Sequence, residues 1–170
     1  TLRSHLLEAT EDLPKGWKAD ATNPEGDLAR WEVVADEKAP SKPNVLSITR
    51  IPDTSVGHFN VFWTKDIQFQ DGALEVRIRA DSGKQDQGGG LIWRAVDARN
   101  YYLARYNPLE TNFRLYCVKD GKRVQIADAH GLDIGTRQWF TMKIVVSGEK
   151  MEGYLDGKKL EAMAAVPDQL

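Results

Sequence analysis

The chain has 170 residues, 41% of them hydrophobic and 28% charged, which is enough apolar material for one globular domain with a real core. A formal net charge of −2 and the lack of any basic block speak against nucleic acid and anionic membranes as partners. No apolar run approaches the ~18 residues that span a bilayer, and the chain opens on Thr1 with no signal peptide ahead of it, as a trimmed or mature chain would.

In chain order, residues 1–30 read as irregular. Leu2, Leu6 and Leu7 suit one helical turn that Pro14 and Gly16 stop, and the stretch 20–30 is rich in Asn, Asp, Pro and Gly. From Trp31 the signal is β. Short β-prone runs cover Trp31 to Ala35, Asn44 to Ile51 and the aromatic-rich His58 to Trp63. The clearest alternation follows: Leu74, Val76 and Ile78 point one way, Glu75, Arg77 and Arg79 the other. Further strands are predicted over Leu91 to Val96, Tyr101 to Asn107, Asn112 to Lys119 and Lys122 to Ala127. The pair Asp120-Gly121 suits a tight hairpin turn because both positions tolerate positive φ. Phe140, Met142, Ile144 and Val146 define another one-sided strand, Met151 to Leu155 returns from Gly148, and Asp156-Gly157 marks a last hairpin. Around ten strands and no amphipathic helix predict an all-β fold, a two-sheet antiparallel β-sandwich of the jelly-roll kind, as a single domain over 1–170. The lone Cys117 shares strand parity with Phe113 and Leu115 and reads as a buried small apolar residue.

Three local patterns carry a family resemblance. They are Gly88-Gly89-Gly90-Leu91-Ile92-Trp93-Arg94 with Asp97, Asn100 and Tyr101 to Arg105; Phe113 to Tyr116 with Asp120-Gly121-Lys122; and Trp139 to Val145 leading to Tyr154-Leu155-Asp156-Gly157-Lys158. In this order the chain, over roughly residues 31–160, resembles a laminin-G-like domain of the concanavalin A-like lectin/glucanase superfamily. It is especially similar to exported bacterial modules related to 3-keto-disaccharide hydrolase-like domains. Within the pattern, Gly88 to Gly90 are expected to turn the backbone sharply into a strand, and Trp139 to anchor the core. Such domains usually close with one or two further strands after the Asp-Gly-Lys hairpin. The tail Ala165 to Leu170 offers none, so either the tail is cut, or a strand is supplied in trans, or an edge is left open, and a strand-exchanged or otherwise dimeric chain is expected.

The resemblance places ligands on the concave sheet face and its rim. Arg94, Arg105 and Arg114 lie on three successive predicted strands, and each guanidinium offers five fixed donors to the hydroxyls or carboxylates of a sugar or uronic acid. Asn107 shares the parity of Arg105, Glu110 and Asn112 can add acceptors, and Trp63 or Trp93 can lie flat against a pyranose. The bland alternative is that these arginines make cross-strand pairs with acids. No catalytic residue is expected. The E-x-D-x-x-E carboxylates of the related glucanases are absent, Glu75-Val76-Arg77 carrying a base where the second acid would stand, and Asp81, Asp86 and Asp97 read as loop acids. The three histidines have no zinc-site spacing, Gly88-Gly89-Gly90 is not followed by the Lys of a phosphate loop, and no cofactor is expected beyond a structural calcium. The favoured reading is therefore a non-catalytic module that binds oligo- or polysaccharide, outside the cell or in the periplasm. The alternatives are a glycoside hydrolase of the 3-keto-disaccharide type and a protein-interaction or adhesion module.

Overall fold

A computed structural model describes residues 13–53, 55, 57–84 and 86–160. The helical turn expected near Leu2 to Leu7 and the expected loss of a closing strand after residue 160 both lie outside the described residues. All regular structure among the described residues is antiparallel strand, and the described chain divides between Ile67 and Gln68 into two compact units. No described helix is long and apolar enough to cross a membrane.

The first unit holds β1 (Trp17–Thr22), β2 (Arg30–Ala35), β3 (Asn44–Arg50) and β4 (Phe59–Thr64). They form two antiparallel ribbons, β1 with β4 and β2 with β3. The rings of Trp17 and Trp31 each stack on Phe62, both at 5.3 Å between centroids. Strand β1 lies inside the segment read as irregular. Its sequence, Trp-Lys-Ala-Asp-Ala-Thr, has almost no β-branched or alternating apolar signal. Pairing with the aromatic β4 makes it a strand: Lys18 faces Trp63 and Asp20 faces Val61 across the ladder.

The second unit is a two-sheet sandwich. One sheet runs β12 (Lys158–Lys159), β11 (Lys150–Leu155), β10 (Trp139–Ser147), β5 (Gly72–Arg79). The other runs β6 (Gly89–Asp97), β7 (Asn100–Asn107), β8 (Asn112–Lys119), β9 (Lys122–His130). One core lies between them. Phe140, Met142, Ile144 and Val146 of β10, with Met151 and Leu155 of β11, meet Tyr102, Ala104 and Tyr106 of β7 and Phe113, Leu115 and Cys117 of β8. Leu74, Val76 and Ile78 pack against the same core, as their alternation requires. Cys117 is buried within it, and burial pushes its thiol pKa up.

Two expectations need correction. Trp139 is no core anchor. It shares the parity of Thr141 and Lys143, outside the core, where the Arg79 guanidinium lies 5.0 Å from its ring centroid; Phe140 fills the core instead. Nor do Gly88 to Gly90 serve a sharp turn, since none of them has a positive φ. Gly90 is needed for room. A Cβ there would lie 1.7 Å from the Ala104 carbonyl oxygen on the neighbouring strand.

Candidate functional site

The face of the β6–β9 sheet turned away from the core carries the polar residues. Along β7 the core side takes Tyr102, Ala104 and Tyr106, so Arg105 and Asn107 fall on the opposite side. The ladder then sets a row across four strands: Gly90 faces Arg105, Arg105 faces Arg114, and Arg114 faces Asp128. In the next row on the same face, Asn107 faces Asn112, which faces His130. The turn between β7 and β8 adds Glu110, and the segment leading into β6 adds Asp86.

These side chains form one continuous network. Arg105 Nη1 donates to Asp86 Oδ2 at 2.8 Å, and its Nη2 donates to Glu110 Oε2 at 2.5 Å and Asn112 Oδ1 at 3.3 Å. Glu110 Oε2 also accepts from Asn112 Nδ2 at 3.1 Å and Arg114 Nη1 at 3.3 Å. Arg114 Nε donates to Asp128 Oδ2 at 3.0 Å, and His130 Nε2 lies 3.0 Å from that same oxygen. Asp86 Oδ1 accepts from Asn107 Nδ2 at 2.9 Å and from the Gly88 amide at 2.6 Å. The Arg105 side chain is only 8% exposed, whereas Asp86 and Glu110 are 55% and 45% exposed. A buried cation therefore sits beneath two solvent-facing carboxylates. Gly88 closes its flank, because a Cβ there would lie 2.6 Å from Arg105 Cδ.

The electrostatics follow from this geometry. Burial raises the Glu110 pKa, but the bond from Asn112 and the charges of Arg105 and Arg114 outweigh it and hold the carboxyl below its ordinary value. Burial disfavours the charged form of Arg114, yet hydrogen bonds with Tyr116 and Asp128 raise its pKa overall. Two buried atoms in the network have no partner among the described residues: Arg105 Nε and Asp128 Oδ1.

Of the residues singled out from sequence, Arg105, Asn107, Glu110, Asn112 and Arg114 come together. Three others do not. Arg94 leaves the group because the β6–β7 register shifts between Trp93 and Asp97 and Arg94 itself adopts φ 48°. Its Nη2 instead donates to the Gln70 and Gly148 carbonyls at 3.1 and 3.2 Å. Trp93 belongs to the core, stacked on Tyr102 at 5.9 Å. Trp63 lies in the first unit, 3% exposed, with its Nε1 bonded to Asp20 Oδ2 at 3.3 Å and Lys18 Nζ 4.6 Å from its ring centroid. No sugar ring can lie flat on either indole.

The sequence does not place Asp128 and His130 in this group, for a specific reason. Counting back from the Lys119–Lys122 pair of the hairpin sets Ala127 opposite Arg114. A register shift between Leu115 and Tyr116 brings Asp128 there instead. Asp86 was visible only as a loop acid. Asp97 caps its own turn, accepting from the Arg99 amide at 2.7 Å and from Asn100 Nδ2 at 2.9 Å. Asp81 holds Arg79 through two hydrogen bonds. Among the described residues, no group of three or more His, Cys, Asp or Glu side chains is placed to hold a metal ion.

No protein-family model matches the chain, and no curated protein matches it. Among solved structures, the carbohydrate-binding module CBM66 from Bacillus subtilis is similar, with a TM-score of 0.60 over 89% of this chain and 81% of that one. The two sequences are 16% identical. The likeness is one of fold. It supports the antiparallel β-sandwich expected from the strand pattern.

Proposed function

We propose that this chain is a non-catalytic carbohydrate-binding module, concanavalin A-like and laminin-G-like in fold, whose ligand lies over Arg105, Glu110 and Arg114. The observation that carries the reading is the fixed network of two guanidiniums and three carboxylates on the outer face of the β6–β9 sheet. Such a network presents donors and acceptors in set directions, which is what a ring of hydroxyls needs. The fold shared with a carbohydrate-binding module supports the same choice. A module of this kind works on the extracellular or periplasmic side, against oligo- or polysaccharide.

Catalysis is the weaker reading. A glycoside hydrolase needs one carboxyl held protonated by a raised pKa. Glu110, at the centre of the network, is moved the other way by the bond from Asn112 and the charges of Arg105 and Arg114.

The test is a glycan array followed by calorimetric titration of the best ligand. Arg114→Ala should weaken binding at least about tenfold, the loss expected for a charge-assisted hydrogen bond. Unchanged affinity in that variant would remove the site, and a chain that binds no glycan would remove the function.

A further inference from the structure

We infer, building on that reading, that the site takes neutral sugars and rejects uronates and sulfated glycans. Both guanidiniums are already engaged by protein carboxylates. Arg105 already spends both Nη groups on Asp86 and Glu110, and Arg114 spends Nη1 on Glu110 and Nε on Asp128. An incoming carboxylate or sulfate must compete with these protein carboxylates for the guanidiniums, and it meets the exposed Asp86 and Glu110 first, since the Arg105 and Arg114 side chains are only 8% and 24% exposed. Three carboxylates against two guanidiniums also leave one more acid than base in the network. An anion therefore meets repulsion as well as competition.

A neutral polyol meets neither. Glu110 directs all three of its bonds through Oε2, and Oε1 has no partner among the described residues on a side chain 45% exposed. Sugar hydroxyls can donate to Glu110 Oε1 and to the exposed Asp86 without breaking an ion pair. The cluster is also built to hold something. Arg105, 7% exposed overall, keeps an Nε–H with no acceptor, and a buried donor of that kind calls for an oxygen. A hydroxyl or its bridging water answers that need at no electrostatic cost. Glu110 is thus the specificity residue, because it occupies both arginines at once.

The test compares matched probes on the intact chain: oligogalacturonate against its methyl ester, and sulfated against unsulfated oligosaccharides, on an array that also carries neutral plant and microbial glycans. Neutral members should bind and their anionic counterparts should bind at least about tenfold more weakly. Glu110→Gln should narrow or reverse that preference, raising binding of anionic probes several-fold while weakening neutral ones, and Asp86→Asn should act in the same direction. Preferential binding of galacturonate or sulfated glycans by the native chain would overturn the inference and leave the carbohydrate reading standing. Binding of no glycan at all would overturn both. If Glu110→Gln does not fold, the native contrast and Asp86→Asn decide alone.

Discussion

Gly90 shows how a single residue can set a strand in place. The Ala104 carbonyl oxygen would lie 1.7 Å from a Cβ at Gly90, and its carbonyl carbon 2.7 Å away. Neither atom can retreat without breaking the β6–β7 ladder, where Gly90 faces Arg105. Gly90→Ala should therefore lower stability by at least ~1–3 kcal/mol, the usual cost of overpacking, read from urea midpoints. Gly89→Ala is the control. Its added Cβ would meet only Ile78 Cγ2 at 3.6 Å, an ordinary contact, so its midpoint should barely move. Equal loss in both variants would refute the steric account and leave only the entropy of losing a glycine. The Asp-Gly turns need a different property. Asp120 and Gly121 take φ 51° and 76°, the paired positive values of the tight hairpin expected from their identities.

The hairpin of β7 and β8 presents most of the site, and two asparagines hold its turn. Asn107 is fully buried; its Oδ1 accepts from the Leu109 amide at 3.0 Å while its Nδ2 reaches Asp86 Oδ1 at 2.9 Å. One side chain thus ties the turn to the segment before β6. Asn107→Ala should cost ~1–3 kcal/mol, since it strands a buried partner, and should speed amide exchange at Leu109. Asn107→Asp should be worse at neutral pH, because it replaces the donor with an anion beside Asp86. A milder effect for Asp than for Ala would show that Asn107 does not hold Asp86. At this scale most of the fold was legible: alternation located β5, β8 and β10 because one side of each meets a core and the other does not. Strand β1 was not, because its strand character comes from its partner β4 rather than its own residues. The site was half legible. Parity joined Arg105, Asn107 and Arg114, and the turn added Glu110 and Asn112. Two register shifts then moved Arg94 out and Asp128 in, and a shift of pairing leaves no mark in composition.

Across the whole molecule, the titrating groups point to a plateau of stability bounded on both sides. Asp20 and Glu25 in the first unit, and Asp97, Glu110 and Glu152 in the second, all have pKa values below their ordinary ones. For Asp97 the main cause is the Arg99 amide, for Glu25 the Ser55 hydroxyl and for Glu152 the Lys159 ammonium. Asp20, like Glu110, is pushed up by burial and brought down by its hydrogen bonds. A carboxyl depressed in the native state binds its proton first in the unfolded chain. Its contribution is complete above the ordinary value of 3.8 for Asp or 4.5 for Glu, and it is lost as pH falls through the native pKa. On the alkaline side, burial raises Cys117 from 9.0 and Tyr106 from 10.0, and a hydrogen bond to Glu152 raises Tyr154 from 10.0. These groups lose their protons first in the unfolded chain, so their contribution fades as pH climbs past those values. Urea midpoints should therefore hold level from about pH 5 to about pH 8.5 and fall on either side. Glu110→Gln should flatten part of the acid limb, and Cys117→Ala should delay the alkaline decline toward pH 10 once its packing loss is subtracted. An acid limb equally steep with and without the Glu110 carboxylate would mean that its bonds to Arg105 and Arg114 persist in the unfolded chain or do not form in the folded one. The second of these would also take away the engagement of both arginines on which selection for neutral sugars depends.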